Sequence, residues 1–109
     1  LVEPNAESIS AAASGVIPAD TRTSITNADA AGAYPIATFT WMIIYKEQNY
    51  SDRSKEQATA TLDLFQYILS DEAQDITSEV HYAPLPTKAK ELSMKNLKTV
   101  TYDGMPILQ

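Results

Sequence analysis

The sequence holds no cysteine, three glycines, one histidine and one tryptophan among 109 residues. The missing cysteine excludes disulfide frameworks, thiolate metal sites, iron–sulfur ligation and cysteine nucleophiles in one step. It leaves the compartment open, because oxidising and reducing locations both tolerate cysteine-free chains. The glycines stand apart at 15, 32 and 104, so no glycine-rich phosphate loop can be built. Positive charge is scarce: 8 Lys and Arg face 14 Asp and Glu, a net charge of -6 that argues against a nucleic-acid partner. Long apolar runs are absent too. The longest, Phe39 to Tyr45, is interrupted by Thr40 and falls far short of the roughly 20 residues that span a bilayer. The start, Leu1-Val2-Glu3-Pro4, has neither an initiator methionine nor the basic region and apolar core of a signal peptide, so the expectation is a processed chain or a fragment.

What is present is the composition of a globular protein, 44% hydrophobic and 20% charged. One compact domain is the most that this length supports, and a cleft between two full lobes would need more chain. Asn5 can cap a helix over about 6–14, with Glu7 at its positive end and Gly15 as a left-handed exit. Residues 23–26 read as a short strand, and Asn27 to Ala33 as a small-residue loop. Tyr34 to Tyr45 begins with polar–apolar alternation and ends as a continuous apolar run. That is the pattern of a strand passing from one-sided to two-sided cover, with Lys46-Glu47-Gln48 ending it in solvent.

Ser54 and Gln57 have the capping-box spacing. Behind them Ala58, Leu62, Phe65 and Leu69 recur at helical period, which predicts a core-facing helix over 55–69. Ser70 can cap a second short helix reaching about Glu79. Pro84 and Pro86 force an extended segment, a last helix follows over about 86–97, and Lys98 to Thr101 reads as a short strand before an Asp103-Gly104 turn.

Reactive constellations are hard to find. His81 has no second histidine and no cysteine with which to hold a metal, and reads as structural. Asp71, Glu72 and Asp75 suit the start of a helix better than a cation site. Lys88, Lys90, Lys95 and Lys98, against Glu91, form a solvated basic face. Tyr34, Phe39, Trp41, Tyr45, Phe65 and Tyr67 lack interleaved lysine or arginine and are expected in the core, not as base-stacking platforms. The residues alone therefore describe an α/β layer with no active site of its own: no catalytic residue, no metal ligand and no cofactor.

Several segments, in order, resemble the phosphate-binding proteins of ABC importers, the PstS type. They are Val2-Glu3-Pro4-Asn5-Ala6-Glu7, Ala33 to Gln48, the helix with Leu64-Phe65-Gln66-Tyr67, Tyr82-Ala83-Pro84-Leu85-Pro86, the lysine-rich helix, and the ending Leu97 to Leu108. The resemblance covers nearly the whole chain and corresponds to the last third of such a protein. It implies the C-terminal part of a two-lobed periplasmic-binding-protein (type II) α/β fold, strands flanked by helices, in a protein that captures inorganic phosphate and hands it to the importer's membrane subunits. It also implies a periplasmic or extracytoplasmic location, with a lipid anchor compatible with the complete parent. Residues 1–38 would finish the second lobe, 39–41 would cross between lobes, and 42–109 would finish the first. Thr38, Phe39 and Thr40 become hinge candidates. The family's phosphate ligands lie in earlier segments, so no ligand-binding residue is expected here, and neither Arg22 nor Arg53 stands in the family's binding context. A competing reading is a free-standing interaction module that kept the fold segment without transport. A hydrolase is a distant third. On the fragment reading, the uncovered Trp41 to Tyr45 run calls for a companion chain or for self-association.

Overall fold

Short polar side chains set the helix starts. In the computed structural model, which describes residues 1–109, Asn5 Oδ1 accepts from Ser8 N at 2.9 Å and opens α1, Ala6–Ala12. Ser54 Oγ accepts from Gln57 N at 3.1 Å, while Gln57 Oε1 accepts from Ser54 N at 2.9 Å. This reciprocal pair opens α2, Lys55–Ile68. Ser70 Oγ caps α3, Asp71–Ile76, by accepting from Ala73 N at 3.2 Å, without a reciprocal bond. A 3-10 turn, Thr77–Val80, extends α3, and α4 follows Pro86 as Thr87–Leu97. Gly15 is not the left-handed exit expected for α1; the helix ends on Ala13 at φ -88°. Two positive-φ residues, Asp103 (51°) and Gly104 (75°), make the tight turn between β1, Thr101–Tyr102, and β2, Met105–Pro106. These strands pair antiparallel, Thr101 with Pro106 and Tyr102 with Met105, and form the molecule's one sheet.

The expected strand over Tyr34 to Tyr45 does not form, and neither does that over 23–26. The fold is accordingly a small mixed helix/strand domain with a two-stranded sheet. Strand geometry needs a neighbour to take its amides and carbonyls, and the amides of Ile36 to Glu47 find no hydrogen-bond partner in the chain. One parallel bridge touches the end of this segment: Thr101 N donates to Lys46 O and Gln48 N donates to Thr101 O, both at 2.8 Å.

Apolar burial falls into two clusters. Ala12, Ala13, Ile25 and Ala37 are buried together, with Ile9, Ala28, Ala33 and Phe39 packed on them. Leu62, Leu97 and Val100 form the second, joined by Ile44, Phe65, Leu69, Met94, Ile107 and Leu108. Between residues 1–38 and 42–109 runs one hydrogen bond, Asn96 Nδ2 donating to Ala19 O at 3.0 Å. The shape follows from this division. The radius of gyration is 15.9 Å, against about 13 Å for a compact chain of this length, and the long axis measures 52 Å.

Candidate functional site

The three hinge candidates lie together on the extended segment between the clusters. Thr38 and Thr40 are exposed and Phe39 is half-buried. Their polar contacts are local: Thr38 Oγ1 donates to Phe39 O at 3.2 Å, and the Phe39 ring meets Trp41 edge-on at 6.0 Å between centroids. Just before them, Thr26 Oγ1 donates to Ala37 O at 3.1 Å and Asn27 N to Pro35 O at 2.7 Å, which fastens the segment to the first cluster. Just after them, Trp41 Nε1 donates to Thr21 O at 3.2 Å. The backbone between these anchors is held by no ladder, so a change in its dihedral angles breaks no main-chain hydrogen bond.

An open groove of about 520 Å³ runs beside Thr38, Phe39 and Thr40. One wall comes from α1 and Ile25; the other comes from the 3-10 turn and Tyr82 to Pro86. His81 lies on that second wall in the left-handed region, φ 63°, where a residue other than glycine is uncommon. Gln74 holds the wall in place. This buried amide donates from Nε2 to Ile68 O at 2.8 Å and accepts from Leu85 N at 2.7 Å, tying the proline segment to the end of α2. Sequence reasoning gave Gln74 no role; the available signal was a polar residue on the inward side of a short helix.

The turn after the extended segment also differs from expectation. Gln48, expected in solvent, is 1% exposed and donates from Nε2 to Tyr45 O at 2.6 Å. Arg53 Nε donates to Gln48 Oε1 at 3.1 Å, its Nη2 reaches Gln57 O at 3.2 Å and Thr61 Oγ1, and its carbonyl accepts from Tyr102 OH at 2.9 Å. Beside it, the exposed Glu47 carboxylate accepts from Thr101 Oγ1 (2.7 Å), Asn49 N (2.9 Å), Asp103 N (2.8 Å) and Gly104 N (3.0 Å). These donors, the Thr101 hydroxyl foremost, stabilise the anion and hold its pKa down to about 2.

Both arginines are occupied by structural partners, Arg53 as above and Arg22 by Asp20 at 2.9 Å. That interaction lowers the Asp20 pKa, and the Lys90 ammonium, 2.6 Å away, lowers that of Asp71. Asp71 thus serves a surface ion pair, and no group of three metal-ligating side chains comes together. Of the aromatics expected in the core, Trp41, Tyr45 and Tyr67 are exposed, with Tyr45 stacked edge-on against Tyr50 at 4.9 Å.

No family model and no solved structure matches the chain. In sequence it is similar to the phosphate-binding protein PstS of Xylella fastidiosa (strain Temecula1 / ATCC 700964), 36% identical over 88 residues. The match takes in 78% of this chain and 23% of that protein, so the chain spans about a quarter of the length of the relative it matches.

Proposed function

We propose that the chain is the C-terminal segment of a solute-binding protein that captures inorganic phosphate outside the cytoplasm and delivers it to the membrane subunits of an ABC importer. The 36% identity to a phosphate-binding protein over 88 residues carries this reading. The physical arrangement is compatible with it. Residues 1–38 and 42–109 keep separate apolar clusters, as the end of a second lobe and the C-terminal part of a first would. The crossing falls at 39–41, and Thr38, Phe39 and Thr40 act as the hinge: their unladdered backbone can absorb a rotation, and the groove beside them gives that rotation room. The protein performs no covalent chemistry in this reading. No helix is long and apolar enough to cross a membrane, so this segment supplies no helical span.

Phosphate selection requires several donors converging on one anion, from hydroxyls, main-chain amides or a free guanidinium. With Arg22 and Arg53 both engaged, this segment contributes scaffold and hinge, and the anion's ligands come from the rest of the protein. Net negative charge is no obstacle, because such a site works through local hydrogen bonds. Isothermal titration with inorganic phosphate tests the reading. Binding by the longer protein that contains this segment, and none by the 109 residues alone, is expected. Binding by the isolated chain would overturn the placement of the ligands, and no binding by the longer protein would overturn the function. The exposed Trp41 to Tyr45 run also fits the alternative, an interaction module without transport. That reading requires the isolated chain to be a cooperatively folded monomer or homodimer in solution.

A further inference from the structure

Among the aspartate and asparagine residues of the chain, Asp103 alone is followed by glycine. That order matters chemically. A main-chain nitrogen can close a five-membered ring on the side-chain carbonyl of the residue before it, and glycine, which has no Cβ, leaves its nitrogen the least hindered. Space is not limiting at this turn: Asp103 and Gly104 are both exposed, and nothing lies within 4 Å of where a Cβ on Gly104 would stand. Hydrogen bonds hold the two reacting groups instead. Asp103 N donates to Glu47 Oε1 at 2.8 Å and Gly104 N donates to Glu47 Oε2 at 3.0 Å, so one carboxylate grips two consecutive amides. Asn49 Nδ2 donates to Asp103 Oδ1 and tethers that side chain. The Glu47 carboxylate is fixed in turn by Thr101 Oγ1 at 2.7 Å and Asn49 N at 2.9 Å.

We propose that Asp103-Gly104 is a site of isoaspartate formation, and that Glu47 and Asn49 keep it unreactive while the hairpin is closed. Ring closure forms a bond from Gly104 N to Asp103 Cγ, and the amide hydrogen and the carboxyl OH leave as water. The product is a cyclic imide. Water then adds to either imide carbonyl: at Cγ it restores aspartate, and at the main-chain carbonyl carbon it breaks that carbon's bond to nitrogen and leaves the chain running through Cγ. The net change is an isomerisation that consumes nothing. The two amide bonds to Glu47 span both rotatable main-chain bonds of Asp103, so swinging Gly104 N onto Cγ releases at least one contact to a charged acceptor. That requirement slows the reaction by about tenfold or more. Once formed, an isoaspartyl residue adds a carbon to the main chain between the paired residues Tyr102 and Met105, so the two amides no longer fit one carboxylate and β1 loses its register with β2. It also frees an α-carboxylate, the group that an isoaspartyl-directed methyltransferase esterifies. None of this depends on the phosphate reading.

Ageing of the longer protein that contains this segment, in mildly acidic buffer, tests the proposal. Glu47, with its pKa at about 2, stays ionised there. Isoaspartate at residue 103 is read by chromatography and electron-transfer fragmentation of the peptide that carries it, and a synthetic peptide of Tyr102–Pro106 gives the unguarded rate. The folded protein should convert about tenfold slower than the peptide, or slower still. Glu47→Gln and Asn49→Ala should each raise the rate by about threefold or more. Asp103→Glu, which cannot close a five-membered ring, should give no isomer at this position. Ile25→Ala weakens the other apolar cluster and should leave the rate unchanged. A folded protein that converts as fast as the peptide would overturn the proposal. So would a Glu47→Gln rate at or below that of wild type, which would make Glu47 a base for ring closure. An Ile25→Ala rate raised as far as that of Glu47→Gln would overturn it too, since global unfolding would then control the reaction.

Discussion

The two apolar clusters are built from different material. The cluster around α2 and α4 buries Leu62, Leu97 and Val100, backed by Phe65, Leu69 and Ile107, and Leu62 is fully shielded. In the N-terminal cluster three of the four buried residues are alanines, with Ile25 the one large side chain. Free energy from burial scales with apolar area, about 25 cal/mol per Å², so an alanine cluster stabilises its region far less than a leucine cluster of similar size. The C-terminal region therefore rests on the stronger apolar cluster, while the N-terminal cluster includes Ala37 and packs on Phe39 of the extended segment.

Five experiments can break or sharpen that contrast. The largest effect is expected at Leu62→Ala, which should cost about 3 kcal/mol in urea unfolding because the cavity opens at the centre of the second cluster. Ile25→Ala, in the shallower first cluster, should cost about 2 kcal/mol or less. Equal losses with unchanged cooperativity would mean that the regions unfold as one unit. Next comes Gln74→Leu, which leaves Leu85 N and Ile68 O without their partner at a cost of about 1–3 kcal/mol. Amide exchange should then rise through Tyr82 to Pro86 and stay unchanged in α1.

Ser54→Ala removes the α2 cap and should cost about 1 kcal/mol, seen as lower helicity by circular dichroism. The smallest effect is a pH dependence centred on Glu47. Folding lowers the Glu47 pKa from its usual 4.5 to about 2, so its contribution is complete above about pH 4.5 and is lost as pH falls toward 2. The urea midpoint should drop across that window, with loss of protection at Asp103 and Gly104. Glu47→Gln should flatten the profile; an unchanged profile would remove Glu47 as the hairpin's organiser.

Helices were legible in the sequence because their signals are local. Ser54 and Gln57 form the capping box that their spacing announces, and the Leu62 stripe faces inward as its period requires. The Asp103-Gly104 turn is equally local. The strand over Tyr34 to Tyr45 was not decided in this way, since its residues have the right preference but pairing depends on a neighbour at long range. The roles of Gln74 and Glu47 were illegible for the same reason: Gln74 accepts from Leu85 N, and Glu47 accepts from the Thr101 hydroxyl and the Asp103 and Gly104 amides, all distant along the chain.

Composition and short-range pattern alone thus determined the absence of thiol chemistry, the four helix starts, the closing turn and the line of resemblance to a phosphate binder. Tertiary structure alone decided that apolar side chains gather into two clusters, that Glu47 organises the closing turn, and that Trp41 to Ile43 lie exposed between the clusters. The reason is physical. Caps and helical periods are satisfied within a few residues, whereas a strand, or the carboxylate of Glu47, is satisfied by groups that folding brings from far along the chain.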